Sequence, residues 1–366
     1  AVHVHAVSVG ETMLALKLIA AWRRRDESAQ FVLAVGTSTG FAVARDAAPD
    51  GCRVVYQPID LCFVVGRYLN RFEPAQLVLV EGEMWPNLMA ACTRRAIPVS
   101  LVNARMSPRS KRRYHRFVNW VRPVFSQLAA VATQDPADEA IWQHLGVQRV
   151  VTTGSLKYDP ATHTPPRKRE AFAAMLDRLR DDRAVVLAAS THRGEEVAIA
   201  DAIREVGGLP VVAPRHAERR HEVVQALSAA GFEVVLRSQS HQPRDLDAAC
   251  LVIDSTGELR DWTAHADAVV IGKSFLATGG QNPTEAVEAM VPVIFGSHME
   301  NFEPLASQLV AHGGAIRVPD LGELPEALRF ALDSPTLLYP AANEVLDWHA
   351  GASERILDLL TDPAAM

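Results

Sequence analysis

Residues 1–35 read AVHVHAVSVGETMLALKLIAAWRRRDESAQFVLAV. An apolar run, Val2–Val9, closes on Gly10-Glu11. Thr12–Trp22 then spaces its apolar residues about 3.6 apart, and a second apolar run follows at Phe31–Val35. Strand, helix and strand are the reading. Strands that are apolar on both faces and alternate with helices belong to a parallel sheet covered on both sides. The same rhythm continues through strands expected at Arg53–Tyr56, Leu77–Val80, Pro98–Val102 and Ala129–Ala132. It pauses at residues 154–166, where Gly154, Pro160, Pro165 and Pro166 have linker composition. It resumes at Ala184–Ala189, Leu209–Ala213, Glu233–Leu236, Leu251–Ile253, Ala268–Ile271 and Pro292–Phe295. The fold class is therefore α/β, with two doubly wound, Rossmann-like domains. The expected boundaries are 1–153 for the first domain, 154–166 for the linker, 167–341 for the second domain and 342–366 for a closing C-terminal helix. Two such domains in tandem are expected to face each other across a cleft, with ligands at the carboxyl ends of the strands.

Length and composition agree. A chain of 366 residues fits two domains. No apolar run reaches the roughly 20 residues needed to span a bilayer, and no signal peptide is legible. The chain opens on a strand without a Met, so an upstream segment, removed or absent, is expected. Cys52, Cys62, Cys92 and Cys250 sit among apolar neighbours and read as reduced core residues. The net charge of −6 is unevenly spread: residues 1–160 hold 19 Lys+Arg against 13 Asp+Glu, and residues 161–366 hold 18 against 30. The basic N-terminal half points to an anionic partner, either nucleic acid, a phosphorylated lipid or an acidic membrane surface.

The residues worth weighing follow the strands. After the first, Gly10 permits a tight turn and a helix is expected from about Thr12, so Glu11 sits at the helix N-terminus; it either caps that helix or takes a proton from a substrate hydroxyl. Glu81-Gly82-Glu83 follows the fourth, where one carboxylate could orient a substrate and the other cap the helix at Trp85. Asn103–Arg113 has the highest basic density in the chain and runs into Tyr114, Phe117 and Trp120, a pattern that suits a phosphate or a membrane face. Nucleic acid is disfavoured, because no recognised binding module accompanies the run. Lys157, at the domain boundary, is either a surface lysine or a cation for a phosphate or carboxylate.

In the second half, polar loops follow the strands at Ser190–Glu196, Pro214–Arg219 and Asp254–Leu259. Gly279-Gly280-Gln281-Asn282-Pro283-Thr284-Glu285 then joins two permissive glycines to a helix start, where an anion could bind and Glu285 could accept from a ribose diol. Gly272-Lys273-Ser274 is not a P-loop, since Asp267 stands where its first glycine must be. No histidine spacing reads as a zinc site, and Asp245-Leu246-Asp247 lies in a polar loop before a strand. No metal site is expected.

Several short segments, in order across nearly the whole chain, resemble the 3-deoxy-D-manno-octulosonic acid (Kdo) transferase family. They are His5–Thr12, Trp85-Pro86-Asn87, Asn103-Ala104-Arg105, Gly154–Asp159, Ser190-Thr191-His192, Pro214-Arg215-His216, Gly257-Glu258-Leu259 and Asn282–Ala286. The resemblance implies a GT-B fold and an inverting, metal-independent glycosyltransferase with no cofactor. CMP-Kdo would be the donor and a lipid A precursor the acceptor, in lipopolysaccharide synthesis at the cytoplasmic face of the bacterial inner membrane. It further implies Glu11 as catalytic base and Glu81 and Lys157 as transition-state stabilisers. Pro214, Arg215, Thr256, Gly257, Glu258, Asn282, Pro283, Thr284 and Glu285 are implied as CMP contacts. The departures are Lys273 where Gly-Gly-Ser is common, Gln281 where a histidine is frequent, Gly82 for a more usual threonine, and the missing membrane-anchoring N-terminal segment. Two rival readings remain at this point: a UDP-sugar 2-epimerase on the same fold, and a non-catalytic nucleotide or lipid binder.

Overall fold

The computed structural model describes residues 1–82, 84–159, 165–239 and 242–362. Glu83 and residues 160–164 of the linker lie outside the described residues. The chain forms two compact units, residues 1–163 with 349–366, and residues 164–348.

The first unit holds a seven-stranded parallel sheet: β1 (Val2–Ala6), β2 (Phe31–Val35), β3 (Cys52–Tyr56), β4 (Gln76–Val80), β5 (Val99–Ala104), β6 (Ala130–Thr133) and β7 (Val150–Thr152), in the order β3-β2-β1-β4-β5-β6-β7. Alternation along each strand divides the core between the two faces. Val4, Ala6, Val78 and Val80 pack with helix Val9–Arg25 and with the C-terminal helix Ala352–Thr361. Leu77 and Leu79 turn the other way, onto helices Cys62–Phe72 and Pro86–Arg94. His3 and His5 share that second face, fully buried, with both rings reaching the phenol oxygen of Tyr68 at 2.9 and 3.3 Å. Burial pulls the His5 imidazole down to about 3, so it stays neutral and structural.

The second unit repeats the plan with β8 (Val185–Thr191), β9 (Leu209–Pro214), β10 (Glu233–Leu236), β11 (Ala249–Val252), β12 (Ala268–Ile271), β13 (Val293–Phe295) and β14 (Ile316–Arg317). Its order, β10-β11-β9-β8-β12-β13-β14, slips β11 between β10 and β9. Every strand pair in both sheets is parallel.

The closing segment differs from the single helix expected over 342–366. It is two helices, Pro335–Asp347 and Ala352–Thr361, separated at Gly351, whose φ of 73° a helix cannot continue through. The second helix belongs with the first unit. There the fully buried Asp159 carboxylate accepts from Gly351 N–H (3.1 Å), Ser353 N–H (2.9 Å) and the Ser353 hydroxyl (2.8 Å). This explains the aspartate of Lys157-Tyr158-Asp159 as an anchor for the returning chain.

Candidate functional site

In the first unit the candidate residues lie at the carboxyl ends of β1, β4, β5 and β7. Helix Val9–Arg25 begins three residues before Thr12, because Ser8 caps it: Ser8 Oγ accepts from Glu11 N–H at 3.2 Å. Gly10 is thus inside the first turn rather than in a tight turn before it. Glu11 closes the reciprocal half of a capping box. Its Oε1 accepts from the Ser8 hydroxyl (2.9 Å) and its Oε2 from Val7 N–H (2.7 Å). The capping reading therefore holds for Glu11, and the same bonds fix its carboxylate in place.

Glu81 ends β4 in a left-handed conformation, φ 65°, uncommon for a side chain of this size. Burial raises its proton affinity, the Arg105 guanidinium opposes that, Glu11 adds to it, and Lys157 opposes it again. Arg105 Nε stands 3.9 Å from Glu81 Oε2. Lys157 follows β7, and burial, with repulsion from Arg105 and Lys17, lowers it to about 8 against the pull of Glu81. Of the three residues expected to act together, Glu81 thus feels the charge of both Glu11 and Lys157. Glu81 does not cap helix Pro86–Arg94, and Glu83 lies outside the described residues. Asp60 supplies the cap, accepting from Asn87 N–H (3.0 Å) and Leu88 N–H (2.8 Å).

The joint between the Glu81 and Lys157 loops is Asn103, fully buried at φ 53°. Its Nδ2 donates to Glu81 Oε1 at 3.5 Å, its Oδ1 accepts from Leu156 N–H at 2.9 Å, and its carbonyl accepts from Gln134 at 2.7 Å. Sequence reasoning quoted Asn103-Ala104-Arg105 as a motif but gave neither polar residue a role in this site. The signal was there: two polar residues immediately after an apolar strand.

In the second unit a cavity of about 210 Å³ opens at the carboxyl ends of β8, β9 and β12, lined by Ser190, Arg215, Leu259, Gln281, Asn282 and Glu285 among others. Two larger depressions, about 390 and 440 Å³, lie at the amino ends around Asp267, away from every candidate residue. Of the expected donor contacts, Arg215, Asn282 and Glu285 line the cavity. Thr284 is buried with its hydroxyl on Asn282 Oδ1 (2.9 Å). The Glu258 carboxylate is held by Arg237 Nε at 3.3 Å, by the Ser255 hydroxyl, and by Arg169 at 3.7 Å. Pro214, Thr256, Gly257 and Pro283 belong to the same loops without lining the cavity.

Two expectations about Gly279–Glu285 change. The helix that follows is only five residues, Thr284–Glu288, and its first N–H is taken by Asn282 Oδ1 at 3.2 Å, so its dipole offers an anion little. Both glycines have positive φ, and what they approach is the protein's own Met299 and Asn301 rather than an open pocket. A Cβ on Gly279 would meet Asn301 Nδ2 at 2.5 Å, and one on Gly280 would meet Met299 Sδ at 2.5 Å.

Residues 1–160 match the family model described as 3-deoxy-D-manno-octulosonic-acid transferase (kdotransferase). The 3-deoxy-D-manno-octulosonic acid transferase of Bordetella pertussis is 33% identical, over 99% of this chain and 87% of its own length. That of Haemophilus influenzae is 31% identical, over 98% and 86%. Among solved structures, UDP-GlcNAc 2-epimerase from Neisseria meningitidis superposes with a TM-score of 0.63 at 13% identity, over 98% of this chain and 99% of that one. Acinetobacter baumannii MurG does so with 0.60 at 16% identity, over 98% of each. These likenesses establish the fold, GT-B.

Proposed function

The chain belongs to the Kdo transferase family, a family of glycosyltransferases, and from that premise we propose that it moves Kdo from CMP-Kdo to a lipid A precursor, with inversion and without a metal. The observation that carries the reading is the Glu11 carboxylate, fixed by two hydrogen bonds and near enough to Glu81 to raise its proton affinity. In this reading Glu11 takes the proton of the acceptor hydroxyl, and that oxygen forms the new bond to the anomeric carbon. The bond to the CMP phosphate oxygen breaks, and the electron pair leaves with CMP. The Kdo carboxylate and the leaving phosphate are both anions. Lys157 and Arg215 supply the cationic charge a metal would otherwise bring. Glu81 sets the charge of Lys157 and stabilises the positive character that develops at the sugar. Arg215, Asn282 and Glu285 contact CMP, while Pro214, Thr256, Gly257, Glu258, Pro283 and Thr284 shape and hold the loops around it.

Lys157 gives this a pH signature. It acts as the ammonium, and its proton is lost as pH rises through about 8 rather than near the ordinary lysine value of 10.5. The transfer rate is expected to fall above about pH 8. In Lys157→Arg, which keeps its charge, that limb should move well up the scale. A wild-type profile flat to pH 10 would contradict the role.

The acceptor is a lipid, and an anionic membrane surface on the cytoplasmic side of the inner membrane is the proposed setting. Ile59, Phe63 and Trp120 are 72%, 68% and 84% exposed, and Arg112, Arg113 and Arg116 are exposed on helix Pro108–Arg116. Trp120 lies in the helix that directly follows the basic one, and exposed apolar side chains together with basic ones suit a bilayer that bears phosphates. Among the described residues no helix is long and apolar enough to cross a membrane.

Calorimetry with CMP and UDP tests the donor. CMP is expected to bind at least tenfold more tightly. A preference for UDP would turn the reading toward a sugar-nucleotide epimerase, an activity the shared fold also supports.

A further inference from the structure

Most cations around the donor cavity already have carboxylate partners. Arg260 lies 3.3 Å from Glu288 and 3.8 Å from Glu285. Arg237 and Arg169 lie against Glu258, and Arg219 lies against Glu196 at 2.8 Å. Two cations differ. Among the described residues, neither the Arg215 guanidinium nor the Lys273 ammonium has a hydrogen-bond or ion-pair partner. Arg215 was expected at the donor. Lys273 is a departure from the pattern the family resemblance implies, which has glycine there, and it was set aside with a failed P-loop match.

The backbone explains both the glycine and the effect of a lysine there. Residue 273 has φ 57°, a conformation glycine adopts without strain. Lys273 is held in it from two sides. Its N–H donates to Glu195 Oε1 at 2.5 Å, and its carbonyl accepts from Gly280 N–H at 3.1 Å. Glu195 is itself fully buried, with Oε1 also accepting from His192 N–H at 2.7 Å. A stem clamped this way gives the side chain a fixed origin. The half-buried Lys273 places its Nζ 3.7 Å from where a Cβ on Gly279 would stand. Gly279 and Gly280 lead directly into Gln281 and Asn282, which line the cavity. The ammonium therefore sits over the glycine turn at the cavity's edge. The five-residue helix beyond that turn contributes little dipole, so charge for an anion must come from side chains.

We propose that Lys273 is a phosphate-binding residue of the donor pocket, its ammonium gripping the phosphate of a nucleoside monophosphate. The inference rests on the donor reading above and adds a second cation to Arg215. A point-charge contact of this kind recognises phosphate and is indifferent to the base.

Calorimetric titration of the full chain with CMP and with cytidine separates the contributions. Wild-type protein is expected to bind CMP more tightly than cytidine. Lys273→Met should weaken CMP about tenfold or more and leave cytidine unchanged. Lys273→Arg should restore most of the loss. The proposal is overturned if Lys273→Met binds CMP as wild type does, or if it loses CMP and cytidine equally, the mark of a displaced loop. If wild type binds neither ligand, the donor reading fails and the Lys273 role fails with it. If wild type binds CMP and only the variant result is flat, the donor reading stands without Lys273.

Discussion

Replacing Glu11 with glutamine is expected to lower the turnover number at least a hundredfold while leaving CMP affinity within twofold of wild type. The proposed reading gives Glu11 a second role beside its cap, and the substitution separates the two. As half of a capping box it accepts from Val7 N–H and from the Ser8 hydroxyl. Losing such a cap costs about 1 kcal/mol. As the proposed base it would remove the acceptor proton, a contribution of about 10²–10⁴ in rate. The amide oxygen of glutamine still accepts the Val7 bond, so the helix start survives, but it cannot hold a proton at neutral pH. Alanine would lose both roles, with a lower midpoint of unfolding besides. A Glu11→Gln variant with near-normal turnover would leave Glu11 as a cap alone and move the base elsewhere.

The second large effect is expected at Gly272, through geometry. Its φ is not in the left-handed region, so the glycine is not there for backbone freedom. A Cβ would stand 2.5 Å from Thr191 Cα, 2.6 Å from Ser190 O and 2.8 Å from Glu195 Oε1. The first two are backbone atoms of β8 and cannot rotate away. Gly272→Ala must therefore spread the carboxyl ends of β8 and β12 and displace the carboxylate that holds Lys273. A loss of about 3 kcal/mol in stability is expected, at the upper end for overpacking. CMP affinity should fall more than tenfold, because Ser190 and the loop after β12 shape the cavity. Gly66→Ala is the control. That glycine lies within helix Cys62–Phe72 with nothing within 4 Å of its Cβ position. Alanine there is expected to stabilise by about 0.5–1 kcal/mol. Denaturant unfolding of the two variants reads both signs; equal behaviour would refute the crowding argument.

The alternation of strand and helix was legible because it is a direct consequence of burial. A parallel sheet covered on both faces demands apolar runs, and twelve of them stood out. What escaped were edges and long-range choices. β7 and β14 are three and two residues long and only partly buried, so neither carries an apolar run. The insertion of β11 between β10 and β9 is a pairing choice made far along the chain. The start of the first helix was misplaced because Gly10 drew the eye as a turn, while Ser8 and Glu11 three residues apart already spelled the cap. Candidate residues were legible where a charged group follows a strand, as at Glu11, Glu81 and Arg215. Asn103 was not, since its work depends on a left-handed backbone that presents its amide to two loops at once. The Gly279–Glu285 turn was singled out for a partly mistaken reason: its glycines admit Met299 and Asn301, and its helix is too short to hold a phosphate unaided.

The proposed Kdo transfer is tested most directly by mass spectrometry. A tetra-acylated lipid A precursor incubated with the protein and CMP-Kdo, in chelator-treated buffer, should gain the mass of one or more Kdo residues, with CMP released in equal number. An unchanged precursor, beside protein that is folded and binds CMP, would contradict it.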